Sequence, residues 1–164
     1  MVAGRSKTML AVAAALALVL GLSACARHAA ESGLAAGYGT AGPGSVQEFN
    51  QTVGDRVFFD TDQTDLSPAA QATLDKQAAW LNQYHRYTFT IEGHADERGT
   101  REYNFALGER RAQAVHDYLA AKGVSASRMK TISYGKERPF CTEHDETCWQ
   151  QNRRGHLVCD NCGS

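Results

Sequence analysis

Two side chains in this sequence have the type and spacing for ligand chemistry: an Arg set in an apolar helix face, and an Asp in the loop ahead of it. Leu107, Ala114, Val115, Tyr118 and Leu119 recur at helical spacing. On a wheel of about 100° per residue, with Leu107 at zero, Ala114 falls near about −20°, Tyr118 near about 20°, Val115 near about 80° and Leu119 near about 120°. Arg111 falls near about 40°, inside this apolar stripe. A buried guanidinium without a partner is costly, so Arg111 needs an anion or an opening. An internal salt bridge or a snorkelling side chain is the alternative. Asp96 lies in the loop Gly93-His94-Ala95-Asp96-Glu97-Arg98-Gly99-Thr100, which carries Asp, Glu, Arg and His between two glycines. An Asp and an Arg facing each other across a mouth suit a zwitterionic ligand, the ammonium on Asp96 and the carboxylate on Arg111. A direct Asp96–Arg111 ion pair that only fixes the loop is the competing arrangement.

The elements that must hold these groups are legible from patterns. Val57-Phe58-Phe59 is a short β-branched and aromatic run and predicts a strand. Ser67-Pro68 predicts a helix start, with Ser as N-cap, and Leu74, Ala78 and Leu81 give that helix one apolar face. Tyr87, Phe89 and Ile91 alternate with polar residues and predict a second strand, ending near Gly93. The helix carrying Arg111 follows, with Gly123 as its stop. Met129 to Tyr134 predicts a third strand, Glu143 to Asn152 a short helix, and His156 to Cys159 a last strand. Strands alternating with helices indicate an α/β or α+β class, with helices packed on a small mixed sheet. Asp96 then sits just past a strand end, where ligand sites are commonly built.

The N-terminus bears on where the protein acts. Arg5 and Lys7 precede an apolar core from Met9 to Leu22, the layout of a secretory signal peptide. That core is shorter than the roughly 20 residues a membrane span requires. Leu22-Ser23-Ala24-Cys25 resembles the bacterial lipoprotein cleavage box, which implies lipidation of Cys25 and cleavage before it. Ala26 in place of Asp implies, by resemblance to enteric lipoproteins, an outer-membrane destination. The 164-residue chain has a formal charge of −1, and no basic stripe points to nucleic acid. Residues 26 to 46 are rich in Ala, Gly and Ser and cannot offset their ordering entropy, so they read as a tether. The expected organisation is a signal peptide at 1–24, a lipidated N-terminus and tether at 25–47, a folded domain at 48–158 and a Cys-containing tail at 159–164.

Five Cys are present. If Cys25 is lipidated, Cys141, Cys148, Cys159 and Cys162 remain, an even number that suggests disulfides in an exported chain. Three connectivities are possible. Short local loops favour Cys141–Cys148 with Cys159–Cys162, and a four-Cys zinc site is the rival. His85, His116, His144 and His156 are scattered, and His94 stands two residues before Asp96. No obvious nucleophile or metal-ligand set emerges, so neither enzyme chemistry nor a cofactor is expected.

The stretch Gly93 to Thr100, then Glu102-Tyr103-Asn104 and Leu107-Gly108-Glu109-Arg110-Arg111-Ala112, closely resembles the peptidoglycan-associated lipoproteins of the Tol–Pal system. The resemblance extends to Val57-Phe58-Phe59-Asp60, Ser133-Tyr134-Gly135-Lys136-Glu137-Arg138-Pro139 and Asn152-Arg153-Arg154, and covers about residues 55 to 158. It implies an OmpA-like β-α-β-α-β core, extended by a further helix and strand. It also implies non-covalent binding of the meso-diaminopimelate stem peptide of peptidoglycan, tethering the outer membrane to the wall and supporting envelope integrity and division. Carried over by motif, Asp96 and Arg111 bind the ligand. Asp62 and Thr61 follow the first strand, with Thr61 replacing a more usual Phe, and Asn104 and Leu107 shape the pocket. Glu97, Arg98, Arg101 and Tyr103 form a rim that in the family also meets a periplasmic β-propeller partner. Two departures stand out: Gly155-His156 is expected to interrupt the last strand, and the C-terminal Cys pairs are not general to the family. A peptidoglycan hydrolase, or a redox protein using Cys159 and Cys162, is the alternative function.

Overall fold

A computed structural model describes residues 42–162. The signal segment, Cys25 and most of the expected tether lie outside the described residues. The chain runs α1 (Val46–Glu48), a π-helical continuation (Phe49–Gly54), β1 (Arg56–Phe58), α2 (Pro68–Gln83), β2 (Phe89–His94), α3 (Arg101–Ala121), a 3₁₀ turn (Ala126–Arg128), β3 (Met129–Gly135), α4 (Glu146–Asn152) and β4 (Arg154–Cys159). The strands form one mixed sheet in the order β1-β4-β2-β3. β3 is parallel to β2, and α3 supplies the crossover that such a pair requires. β4 runs antiparallel to both β1 and β2 and sits between them.

The helix ends are set by local chemistry. Ser67 Oγ accepts from Ala70 N at 3.2 Å, with Pro68 opening α2. Thr100 Oγ1 accepts from Tyr103 N at 3.2 Å at the start of α3, and Asp145 accepts from Cys148 N at 2.8 Å at the start of α4. Inner faces of α2 (Leu74, Ala78, Leu81) and α3 (Ala112, Val115, Leu119) meet Val57, Ile91 and Leu157 of the sheet in one core cluster. Phe49, Trp80, Tyr87 and Phe89 close one end of it, with ring centroids of the Phe49–Trp80 and Trp80–Tyr87 pairs 4.9 and 5.1 Å apart.

The folded unit reaches further toward the N-terminus than the expected boundary at residue 48. Gly44 is buried, and its carbonyl accepts from Tyr87 Oη at 2.8 Å and from Arg86 at 2.9 Å. Glu48 caps the Trp80 indole at 2.9 Å. Composition concealed this because the Gly44 attachment is made by a backbone carbonyl, a group every residue carries. The far end also differs from expectation. β4 is continuous through Gly155 and His156, which pair with Val57 and Arg56. A Cβ at Gly155 would lie 2.9 Å from a Val115 methyl, so the small residue fits the sheet under α3. Cys159 closes β4, and Asp160 beyond it donates its N–H to the Thr88 carbonyl at 2.9 Å and accepts from Thr90 Oγ1 at 2.7 Å, so residues 159–160 are tied to the fold and do not form a free tail.

Closest of all is the approach of α3 to β2. A Cβ built on Gly93 would stand 1.8 Å from the Gly108 carbonyl oxygen. Helix and strand backbones therefore touch here, and the contact fixes the height at which Arg111, one turn further along, enters the site.

Candidate functional site

Asp96 lies just past the end of β2, where Ala95 N still pairs with the Gly135 carbonyl at 2.8 Å. Its carboxylate accepts from the backbone N–H of Arg98 at 3.1 Å, a short-range turn of the kind Asp favours. The Arg98 guanidinium grips both oxygens, at 3.0 and 2.7 Å, and Arg153 Nη1 reaches Oδ2 at 3.2 Å. Burial by itself pushes the Asp96 carboxyl up. The side-chain and backbone bonds from Arg98 and the bond from Arg153 outweigh it, and the group is held below the usual Asp range. Asp96 is an anion at neutral pH.

Arg111 is fully buried. Its guanidinium donates to three backbone carbonyls: Gln63 at 2.9 Å, His94 at 2.9 Å and Asp60 at 3.0 Å. Its charged carbon lies over the Phe59 ring at 5.2 Å. Burial, and then the neighbouring Arg153 charge, lower its pKa to about 10, so it is still a cation at neutral pH. The alternative of a direct Asp96–Arg111 ion pair does not hold: among the described residues, the ion-pair partners of Asp96 are Arg98 and Arg153. Arg111 instead ties the loop after β1 to the end of β2. Of its five N–H donors, the carbonyls use three.

Beside these groups opens a groove of about 650 Å³, walled by Asp60, Thr61, Gln63 and Leu66 on one side and by Glu146, Gln150 and Arg153 of the α4 region on the other. Of the residues expected to contact ligand, Thr61 lines it directly and accepts from Arg98 Nη2 at 3.3 Å. Asp62 is exposed beside it with φ 56°, a left-handed conformation that Asp tolerates better than most residues. Asn104 and Leu107 are buried and do not wall this groove. Asn104 acts through the loop, donating to the Arg98 carbonyl at 2.7 Å. The rim residues divide. Glu97 accepts from Trp149 Nε1 at 2.8 Å and pairs with His144 at 2.7 Å, and Arg98 stacks over Trp149 at 4.2 Å. Arg101 pairs with Glu137 at 3.3 Å, and Tyr103 is exposed.

The residue that sequence reasoning missed is Arg153. It is 2% exposed, and it bonds the Phe59 carbonyl, Asp96, Glu146 and Gln150, so it joins β1, the Asp96 loop and α4. Its only signal was the Asn152-Arg153-Arg154 motif, which gives no hint of what the side chain reaches. Asn152 is buried and holds the loop before α4, its side-chain oxygen accepting from Phe140 N at 2.8 Å and Cys141 N at 3.1 Å. The same loop is closed by the Cys141–Cys148 disulfide, and Cys159 pairs with Cys162.

The OmpA family profile matches residues 58–153. The chain is 55% identical over 154 residues to a peptidoglycan-associated lipoprotein of Rhizobium meliloti, covering 92% of this chain and 88% of that one. It is 40% identical over 149 residues to the protein of that name from Haemophilus influenzae, covering 91% and 95% respectively. Among solved structures, it is similar to the crystal structure of the peptidoglycan-associated lipoprotein from Burkholderia pseudomallei. That match has a TM-score of 0.64 and 40% identity, over 67% of this chain and 95% of that one.

Proposed function

The chain belongs to the OmpA family, and from that premise we propose that it is a non-enzymatic peptidoglycan-binding lipoprotein that tethers a membrane of the cell envelope to the wall. The observation that carries this reading is an ionised Asp96 bonded to Arg153, which lines an open groove, with a second buried Arg cation, Arg111, holding the His94 carbonyl at the start of the same loop. That arrangement suits the free amino-acid end of a diaminopimelate side chain. The ammonium goes to Asp96, and the carboxylate is drawn by the field of Arg111 and Arg153. Arg98, with a side chain 39% exposed, is the partner of Asp96 that an incoming ammonium displaces; Arg153, at 3%, stays in place. Thr61 and Asp62 border the entry side. A wall hydrolase is the weaker reading. A general acid needs a raised carboxyl pKa, and Asp96 is shifted the other way.

The test is calorimetry with a diaminopimelate-containing stem peptide. Losing one partner of a desolvated, hydrogen-bonded charge pair costs about 2–5 kcal/mol, so Asp96→Ala is expected to bind at least about 30-fold more weakly. Arg110→Ala, an exposed position about 100° away from Arg111 on the helix, is expected to change binding little. Binding unchanged in Asp96→Ala removes the proposed site.

Membrane attachment rests on Cys25, and no helix among the described residues is long and apolar enough to cross a membrane. Cys25→Ser is expected to leave the chain in the soluble fraction of lysed cells, because a diacyl anchor with an added N-acyl chain holds far better than a single chain. A Cys25→Ser protein that still sediments with membranes overturns the anchor. We place the anchored chain in the outer membrane, facing the periplasm. The rim formed by Glu97, Arg98, Arg101 and Tyr103 would meet the Tol-system β-propeller in competition with the wall.

A further inference from the structure

We propose that Glu92, His94 and His156 form a site for a divalent transition-metal cation of the zinc class, on the sheet face opposite the α2–α3 core. Glu92 and His94 are two residues apart on β2, so their side chains leave the same face. His156 on β4 stands directly opposite Glu92 in the antiparallel register. The three donor atoms lie within 4.8 Å of one another.

The edges of this triangle have metal-site dimensions. Both imidazoles converge on one oxygen, Oε2 of Glu92, with His94 Nε2 at 3.2 Å and His156 Nδ1 at 3.4 Å. Ligands bound to zinc at about 2.0 Å in a tetrahedron stand about 3.3 Å apart. The two edges at Glu92 already match this, and only the His–His edge must close. Two nitrogens and one carboxylate oxygen, with a fourth position left to water, suit a borderline cation.

His156 supplies the second argument. Its Nε2 is 3.0 Å from Asp55 Oδ2, while its Nδ1 faces Glu92. With the proton on Nε2 and donated to Asp55, the Nδ1 lone pair points at a carboxylate oxygen. Two lone pairs so placed repel unless a second proton or a cation lies between them. A cation there would complete the carboxylate–His–metal relay that fixes a ligand's tautomer. Asp55 is itself held by Arg56 at 3.2 Å. The positive charge of Arg154, two residues before His156 on β4, acts on both His94 and Glu92 and opposes cation binding. Access is open, since the His156 and Glu92 side chains are 22% and 16% exposed, while His94 at 1% anchors the site. The Gly155-His156 departure in the last strand thus acquires a use: Gly155 fits beneath Val115, and His156 faces the opposite side.

The test is a zinc titration of the full chain, purified in detergent and stripped of metal, in competition with a zinc-responsive chelating dye. A single saturable equivalent is expected. His156→Val suits a strand and should weaken binding at least about 10-fold, Glu92→Gln should do the same, and Asp55→Asn should fall within the about 10–100-fold range of outer-shell losses. His85→Ala, at an exposed remote position, should bind like wild type. Cobalt(II) in place of zinc should give the visible absorption of a tetrahedral site, and His156→Val should lose it. Absence of saturable binding, or binding equal in wild type and His156→Val, overturns the proposal and leaves His156 as a proton-bridged strut between two carboxylates.

Discussion

Arg111→Ala is expected to lose about 3–5 kcal/mol of folding stability, the range for breaking a buried charged network. The side chain is fully buried and is the donor to the carbonyls of Asp60, Gln63 and His94. Removing it strands three acceptors, each costing about 1–3 kcal/mol if water cannot replace the donor. Water entering from the groove recovers part of this. Urea unfolding of the variant measures the loss, and a domain of this size would melt roughly 10–20 °C lower. Arg111→Lys is expected to rescue little, because a single ammonium cannot serve three diverging carbonyls. Peptide binding should fall in both variants, even under conditions where they remain folded, since the loop after β1 is no longer tied to the Asp96 loop. An Arg111→Ala protein within about 1 kcal/mol of wild type would show that water replaces the guanidinium at all three carbonyls.

Gly93→Ala is expected to cost about 3 kcal/mol or more, the upper end for overpacking, or to prevent folding. The added Cβ would meet the Gly108 carbonyl oxygen at 1.8 Å and its carbon at 2.6 Å. Both are backbone atoms, so no rotamer relieves the clash. α3 would have to withdraw from β2, taking Leu107 and Arg111 with it. Gly99→Ala is the informative comparison. Its φ is +88°, but the nearest atom to the new Cβ is 3.7 Å away. Backbone strain alone should cost about 1–2 kcal/mol there. Denaturant midpoints for the two variants separate steric exclusion from conformational strain. Equal losses would show that α3 slides freely over β2.

Local signals carried much of this molecule. Ser67-Pro68 and Gly123 marked helix ends, because a cap acts within one turn of the residue that makes it. The alternation around Phe89 and Ile91 marked a strand, because burial of one face repeats every second residue. The 3.6-residue wheel was enough to single out Arg111 as a cation on a buried face, and the loop composition singled out Asp96. What the wheel could not supply was the partner. A guanidinium inside an apolar stripe needs acceptors, and whether these are a carboxylate, a ligand or backbone carbonyls depends on which distant loop folds over it. Here the carbonyls of Asp60 and Gln63 do so, across 51 and 48 residues of chain. Arg153 reached Asp96 across 57 residues, and nothing near either residue in sequence encodes that meeting. The attachment of Gly44 to Tyr87 was equally silent, since backbone atoms are common to every residue type. His156 shows the same division most simply. Its sequence position gave only an unexpected residue in a strand, while the antiparallel register of β4 against β2 set it opposite Glu92. Composition and periodicity determine which residues are buried and in what element, because those are properties of short segments. Register, loop closure and the pairing of charges are decided by tertiary structure, because they depend on atoms that approach only after the segments pack.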